Sequence, residues 1–322
     1  MQRVLLATRG WSHCGNARSS PGCSAVARRS STRIESSIGN IHPTAVIHEG
    51  AQVSKSAIVG PFCVVGEGVK IGRNCHIKSY VNIQGDTVIS DGCMFFPFSS
   101  VGEIPQDKKY DGEHTSLYVG ENTVVRESVT INTGTEQGGG LTRVGAGCLI
   151  MASTHVGHDC IIGDNVIVSN GSALAGHVRV DDHVIIGGLC GIRQHVHIGT
   201  RAMVGGGAVV DRHVLPYSLV TGNRAQLRGV NLVGLRRAGI PRETIQALLR
   251  TFRFLFPDTL GKQSSSFASP WTFPTSTSIP VELYLRCGLL LDAMEHGLIP
   301  SCDLMAHVID FVMKGDGKGE RT

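Results

Sequence analysis

Starting at Ile41, every sixth residue is Leu, Ile, Val or Phe: Ile41, Ile47, Val53, Val59, Val65, Ile71, Ile77, Ile83, Ile89, Phe95 and Val101. The phase pauses, resumes at Val119, Val125 and Ile131, pauses again, and then holds from Val144 through Val210, giving 26 starts with no polar exception. Neither the 3.6-residue period of a helix nor the two-residue period of a strand yields a strict six. A short strand followed by a corner does, and three such units close one triangular coil of about 18 residues. Roughly nine coils, stacked at the ~4.8 Å spacing of neighbouring strands, make a column roughly 40 Å tall. The expected fold is mainly β: a parallel β-helix of hexapeptide repeats over 41–218, then a C-terminal α-helical region over 219–322.

Position i of each hexad is the inward, mostly β-branched residue. The next residue is often Gly or Asp, as in Val59-Gly60, Ile71-Gly72, Ile162-Gly163 and Ile198-Gly199. Glycine there reads as the source of the positive φ that a corner requires. Position i+4 is small, which leaves room inside a narrow prism. Six cysteines (Cys63, Cys75, Cys93, Cys148, Cys160 and Cys190) fall at i+4 and read as small buried hydrophobes. The chain has ten cysteines and no CxxC pair, which suits a reducing compartment.

Two segments leave the phase, 102–118 and 133–143, and read as loops thrown out where something is gripped. Beyond Pro216 the repeat stops. Residues 225–256 read as helices, with Pro241 in a first turn and Ile245, Leu248, Leu249 and Phe252 on one face. Residues 257–280 are rich in Ser, Thr and Pro and read as a loop, and 281–313 as helix again.

Residues 1–34 hold six arginines and six serines, with no lysine and no acid. That is the composition of an organellar transit peptide, and residues 1–40 are read as one, disordered, favouring mitochondrial over plastid import. The whole-chain charge of +4 falls to −2 without those six arginines. A near-neutral body lacks the basic stripe that nucleic-acid binding requires. No run of ~18 apolar residues is present, so no transmembrane segment is expected.

Histidine carries the chemistry, because its pKa of ~6.5 makes it a base near neutral pH. The coil arithmetic stacks His158, His177 and His195 on successive turns of one face, with His155 close by. The stack reads equally well as a site or as solvated surface. Asp159 follows His158 and places a carboxylate beside a candidate base. A zinc site built from His155, His158 and His177 is also permitted by spacing. His48, His76, His183, His197 and His213 read as ordinary surface positions. No GxSxG, Rossmann or P-loop motif occurs, and neither Gly-Gly-Gly run, 138–140 or 205–207, opens a helix.

The stretches PQDKKYDGE (105–113), TEQGGGLT (135–142), MASTHVGHDC (151–160), LAGHVRVDD (174–182), VTGNR (220–224) and GVNLVGLRRAG (229–239) resemble the UDP-N-acetylglucosamine O-acyltransferase family, the first enzyme of lipid A synthesis. The resemblance covers about 41–250. It implies a left-handed β-helix, a homotrimer with sites between subunits, and neither cofactor nor metal. It implies UDP-N-acetylglucosamine and an acyl carrier protein bearing a 3-hydroxyacyl chain as partners. On this resemblance His158 is the general base and Asp159 its orienting partner. His155, His177 and Gln194 match substrate contacts, Gln106, Asp107 and Lys109 the loop that grips the sugar nucleotide, and Asn231 and Arg237 contacts to the nucleotide. Gly206 matches the position that limits acyl depth.

The chain departs from the family pattern at four places. Arg193 and Arg224 stand where the family has histidine contacts, Val233 replaces a helix acid, and Ala238 replaces one of a basic pair. Beyond about 252 the likeness fades. Three other readings remain open at this point: a γ-type carbonic anhydrase-like metal site, a non-catalytic β-helix subunit, and the N-acyltransferase of the same pathway.

Overall fold

The structure is a computed structural model describing residues 40–257, 281–296 and 302–314. Apart from Asn40 and Pro257 at their edges, the expected transit peptide and the Ser/Thr/Pro-rich loop lie outside the described residues.

The hexads wind around three faces. The first face carries nine strands, from Val46–Ile47 to Val209–Val210, and the second carries eight, from Gln52–Val53 to His197–Ile198. The third carries ten, from Ile58–Val59 through Met203–Val204 to Ser218–Thr221 and Gln226–Val230. Each strand pairs in parallel with the one three hexads on, as in Val46↔Val64, His155↔Ala173 and Arg179↔His197. The second residue of each short strand points inward, and Val59, Ile77, Phe95, Ile162, Val168 and Ile186 are at most 2% exposed. One continuous apolar core therefore runs up the prism.

The six cysteines at i+4 are as expected, each at most 2% exposed. The position asks for more than small size. Cys148 Sγ donates to the Gly163 carbonyl at 3.1 Å and Cys160 Sγ to the Ala175 carbonyl at 3.2 Å, and the Ser172 hydroxyl does the same to Gly187 at 2.8 Å. A compact donor satisfies a carbonyl fifteen residues on, at the corner of the next coil. Burial pushes the Cys148 thiol up to about 11 and the Cys160 thiol up to about 12, so both stay protonated and inert near neutral pH.

The corners differ from the sequence expectation. The positive φ falls at i+3, on Phe62, Asn74, Tyr80, Asp159, His177 and His195 among others, and not on Gly60, Gly72, Gly163 or Gly199 at i+1. At Gly163 the constraint is instead that the next coil passes close overhead. A Cβ on Gly163 would stand 2.9 Å from the Asp182 nitrogen and 3.0 Å from the Asp181 carbonyl carbon.

Both insertions are shorter than expected, because pairing continues past the hexad. The strands Ser100–Glu103 and Ser116–Val119 leave a loop of 104–115, and Thr130–Asn132 and Leu141–Val144 leave 133–140, which holds a 3₁₀ turn at Glu136–Gly138. Both loops leave the first face and re-enter on the second, so they emerge from one corner on consecutive coils.

The column also ends later than expected. Ser218–Thr221 extends the third face, and Gln226–Val230 adds to it antiparallel, where the sequence reads as helix. Five residues carry no decisive period, and the open edge of the last coil takes them as a closing strand. Helices follow at Leu232–Arg237 (α1), Arg242–Leu255 (α2), Val281–Glu295 (α3) and Asp303–Lys314 (α4). Pro241 is the N-cap of α2 rather than within its first turn. Ile245, Leu248 and Phe252 of α2 share a second apolar core with Cys287 of α3, Val308 of α4 and Leu215 at the top of the column.

Gly163→Ala is expected to lower stability by about 1–3 kcal/mol through its clash with the coil above. Gly206→Ala, whose Cβ meets nothing closer than 3.5 Å, is expected to stay within about 0.5 kcal/mol of the parent. Urea or thermal unfolding of the two variants beside the parent distinguishes them.

Candidate active site

The corner between the first and second faces is where the chemistry gathers. It carries both insertions and, on the coils immediately above, His158, His177 and His195. Their rings form a stack: His158 meets His177 edge-on at 5.0 Å between centroids, and His177 lies over His195 at 4.5 Å and 11°. Corner residues at i+3 take the left-handed conformation, and Asp159 (φ 59°), His177 (φ 62°) and His195 (φ 62°) all do so. Asp and His tolerate it better than β-branched residues.

Asp159 is the centre of the hydrogen-bond network. The Thr135 backbone N–H donates to Asp159 Oδ1 and the Thr135 hydroxyl to Oδ2, each at 2.7 Å. The Asp159 N–H donates to Thr142 Oγ1 at 2.8 Å. His158 Nδ1 stands 2.7 Å from Oδ2. The Asp159 side chain is 1% exposed and the His158 side chain 7%. A carboxylate only accepts, so the proton on this bond belongs to His158 Nδ1, which leaves Nε2 with its lone pair free. The ring lies against Gly176: any Cβ there would overlap His158 Cε1 and Nε2. Gly138 is fixed in the same way, because a Cβ would overlap the Asp159 carboxylate.

Burial acts on two of the neighbouring imidazoles. His155 Nδ1 pairs with Thr130 Oγ1 at 2.7 Å, and burial, then the nearby His158, holds its pKa below the usual value. Burial likewise lowers His177, opposed by the negative charges of Asp159 and Asp107. At 3.6 Å, His177 Nδ1 is too far from Asp159 Oδ2 for a hydrogen bond.

Of the zinc set the spacing permits, His155 and His158 each engage Nδ1, with Thr130 Oγ1 and Asp159 Oδ2 at 2.7 Å. Among the described residues the donor atoms that gather within 4.8 Å of one another are those of His158, Asp159 and His177. The 2.7 Å contact between the first two is a hydrogen bond, shorter than the roughly 3.4 Å between two ligands of one tetrahedral zinc at ~2.1 Å.

Of the residues singled out in sequence, His155, His158, Asp159 and His177 converge. Asp107 lies on the lower loop near enough to act on His177, with the Lys109 N–H bound to its Oδ1 at 3.0 Å. Gln106 and Lys109 are exposed on that loop, and Arg193 and Gln194 are exposed beside His195. The rest lie elsewhere in the chain. Gly206 is on the corner between the third and first faces. Arg224 is exposed in the turn of the closing hairpin, and Arg237 in the last turn of α1. Asn231 caps α1, with Oδ1 accepting from the Gly234 N–H at 3.0 Å and Nδ2 donating to the Arg201 carbonyl at 3.0 Å. His197 is a correction: it is not an ordinary surface residue. It pairs with Asp181 at 2.9 Å, and Phe311 of α4 covers its ring at 4.6 Å, because the C-terminal helix folds back onto the second face. Thr135, Thr142, Gly138 and Gly176 received no role from the sequence, although the stretches TEQGGGLT (135–142) and LAGHVRVDD (174–182) contain them.

Comparison with known proteins agrees with this geometry. A family model described as UDP-N-acetylglucosamine O-acyltransferase, domain 2, matches residues 213–267, and one for the bacterial transferase hexapeptide (six repeats) matches 141–176. The acyl-[acyl-carrier-protein]–UDP-N-acetylglucosamine O-acyltransferase of Thermodesulfovibrio yellowstonii is 45% identical over 223 residues, covering 69% of this chain and 86% of the relative. The enzyme of that name from Campylobacter concisus is 43% identical over 218 residues, covering 67% and 83%. Among solved structures, LpxA from Acinetobacter baumannii superposes with a TM-score of 0.74 at 34% identity, covering 86% of this chain and 97% of that one. The Arabidopsis UDP-N-acetylglucosamine acyltransferase gives 0.67 at 30% identity, covering 84% and 94%.

A falling pH tests the half-buried His155 and His177. The unfolded chain protonates both near the ordinary 6.5, while the folded chain holds them lower. Stability is therefore full above about 6.5 and falls as pH drops through the folded values. The melting temperature is expected to drop between pH 7.5 and 5.5, and the drop to be smaller in His155→Gln.

With the three-faced column, the corner site and these likenesses in agreement, the chain is an acyltransferase with the left-handed parallel β-helix fold, and it belongs to the UDP-N-acetylglucosamine O-acyltransferase family.

Proposed function

We propose that this chain transfers a 3-hydroxyacyl chain from the thioester of an acyl carrier protein to the 3-hydroxyl of UDP-N-acetylglucosamine, the first step of lipid A biosynthesis, with His158 as general base. The observation that carries this reading is the Thr135–Asp159–His158 relay, with its 2.7 Å bonds and a single basic nitrogen left facing Gly176.

The chemistry follows from that nitrogen. His158 Nε2 takes the proton of the sugar hydroxyl as its oxygen attacks the thioester carbonyl. Asp159 stabilises the imidazolium that forms, and Thr135 keeps the carboxylate from turning away. Collapse of the tetrahedral intermediate forms the ester and breaks the carbon–sulfur bond. The departing thiolate takes the proton back from Nε2, which restores the neutral imidazole. Burial biases the neighbouring His155 and His177 towards their neutral forms.

The remaining residues belong to substrate binding. Gln106, Asp107 and Lys109 hold the sugar nucleotide from the lower loop, and Arg237 suits a diphosphate through its planar fork of donors. Gly206, Arg224, Asn231 and Arg237 are remote from His158 within one copy. A homotrimer that seats a neighbour's upper corner and α1 against this chain's histidine stack supplies a complete groove. A bare Gly206 leaves the end of that groove open to a long acyl chain.

His158→Ala is expected to reduce turnover of acyl carrier protein thioester with UDP-N-acetylglucosamine by ~10² or more. A folded variant that keeps most of its activity removes His158 from the mechanism. Import into an organelle, mitochondrial in preference to plastid, rests on the arginine and serine composition of residues 1–34. A fluorescent reporter fused behind residues 1–40 is expected in mitochondria, and cytosolic retention counts against the targeting.

A further inference from the structure

No hydrogen bond reaches either ring nitrogen of His177 among the described residues. Its nearest ionic neighbour, Asp159 Oδ2, stands 3.6 Å from Nδ1, beyond hydrogen-bond range. The side chain is 24% exposed, so close packing does not lock it either. Two rings hold it instead. His158 meets it edge-on from the coil below, with 5.0 Å between centroids and 88° between planes. His195 lies over it from the coil above, at 4.5 Å and 11°.

The fold forms such a pair wherever rings occupy successive corners. Corner residues lie one above another, tied by the backbone: the His177 N–H donates to the His158 carbonyl at 2.9 Å and the His195 N–H to the Gly176 carbonyl at 3.4 Å. The corner between the third and first faces shows the same device on lower coils. Phe62, Tyr80 and Phe98, at φ 59°, 59° and 65°, stack there at 5.0 and 5.3 Å. A ring at a corner therefore settles on the ring one coil away, and phenylalanine is accommodated in that left-handed backbone. At the corner of the site, the ring underneath is the one that touches His158. His195 itself is exposed and takes no part in the hydrogen bonds among Thr135, Asp159 and His158.

We propose that His195 is a positioning residue for the transfer, whose ring, stacked on His177, holds that imidazole edge-on against His158. This rests on the acyl-transfer reading above, in which His177 is a substrate contact. His195 acts through His177 and supplies a flat apolar surface, not a proton. The charges around His177 are a separate influence. Asp159 in the coil below and Asp107 on the lower loop favour its charged form, while burial, His195 above and His158 below oppose it. A comparison at pH 8, above the range in which histidines ordinarily hold a proton, takes imidazolium charge out of play and leaves the ring contact.

The test is steady-state kinetics at pH 8, with UDP-N-acetylglucosamine and acyl carrier protein thioester, on the full chain carrying His195→Asn or His195→Phe, beside melting temperatures of both. Asparagine suits the left-handed corner (φ 62°) but has no ring, whereas phenylalanine keeps a ring and loses both nitrogens. The side chain is exposed, so neither change threatens the core. His195→Asn is expected to melt no lower than the parent and yet to lose about three- to tenfold in kcat/KM. His195→Phe is expected to stay within about twofold of the parent. An asparagine variant within about twofold of the parent overturns the proposal. So does a phenylalanine variant as impaired as asparagine, which would give His195 a direct polar contact instead. Parent enzyme that turns over no UDP-N-acetylglucosamine defeats the acyl-transfer reading and this inference with it, whereas an active parent with an indifferent position 195 defeats the inference alone.

Discussion

The eighteen-residue step between coils governs everything else in the molecule. Each strand finds its hydrogen-bond partners only if the next coil arrives in register, as in His155↔Ala173 and Ala173↔Gly191. A single added residue within a face would turn inward side chains outward along the rest of that face. Extra chain is therefore tolerated only at corners, and here both insertions use the same one. The substrate loop and the turn that holds Asp159 are consequently neighbours by construction.

The site is built on that stack rather than added to it. Thr142, a coil below Asp159, accepts its backbone N–H, and Gly176, a coil above, provides the flat floor for the His158 ring. Thr135 comes from the second insertion, where its hydroxyl also accepts the Gly138 N–H at 3.2 Å and so caps the start of the short 3₁₀ turn. The residue that orients the carboxylate is thus the one that gives its own loop a shape. Loss of Thr135 would loosen both, which is why the base, its partner and the turn act as a unit.

Much of this was readable in the chain. The hexad starts locate the inward residues, and the phase breaks after Val101 and Ile131 locate the loops. Simple coil counting stacks His158, His177 and His195. What escaped was whatever depends on how one coil meets another. The need for Gly163 comes from the Asp181–Asp182 peptide above it, not from its own φ. Thr135 reaches Asp159 only because the 133–140 loop folds back over its own corner. Gln226–Val230 became a strand because an open edge was available, and His197 was covered because a distant helix, α4, returned to the second face.

The corner conformation has a consequence for how this protein can change over time. His177 and His195 occupy left-handed backbone that glycine or asparagine would hold more comfortably. Substitution there by either would relax the scaffold while removing two imidazoles from the stack. Robustness and activity thus pull against each other at the same two positions. Drift towards a sturdier column that has lost its chemistry is downhill energetically, and only selection for the reaction holds these side chains in place.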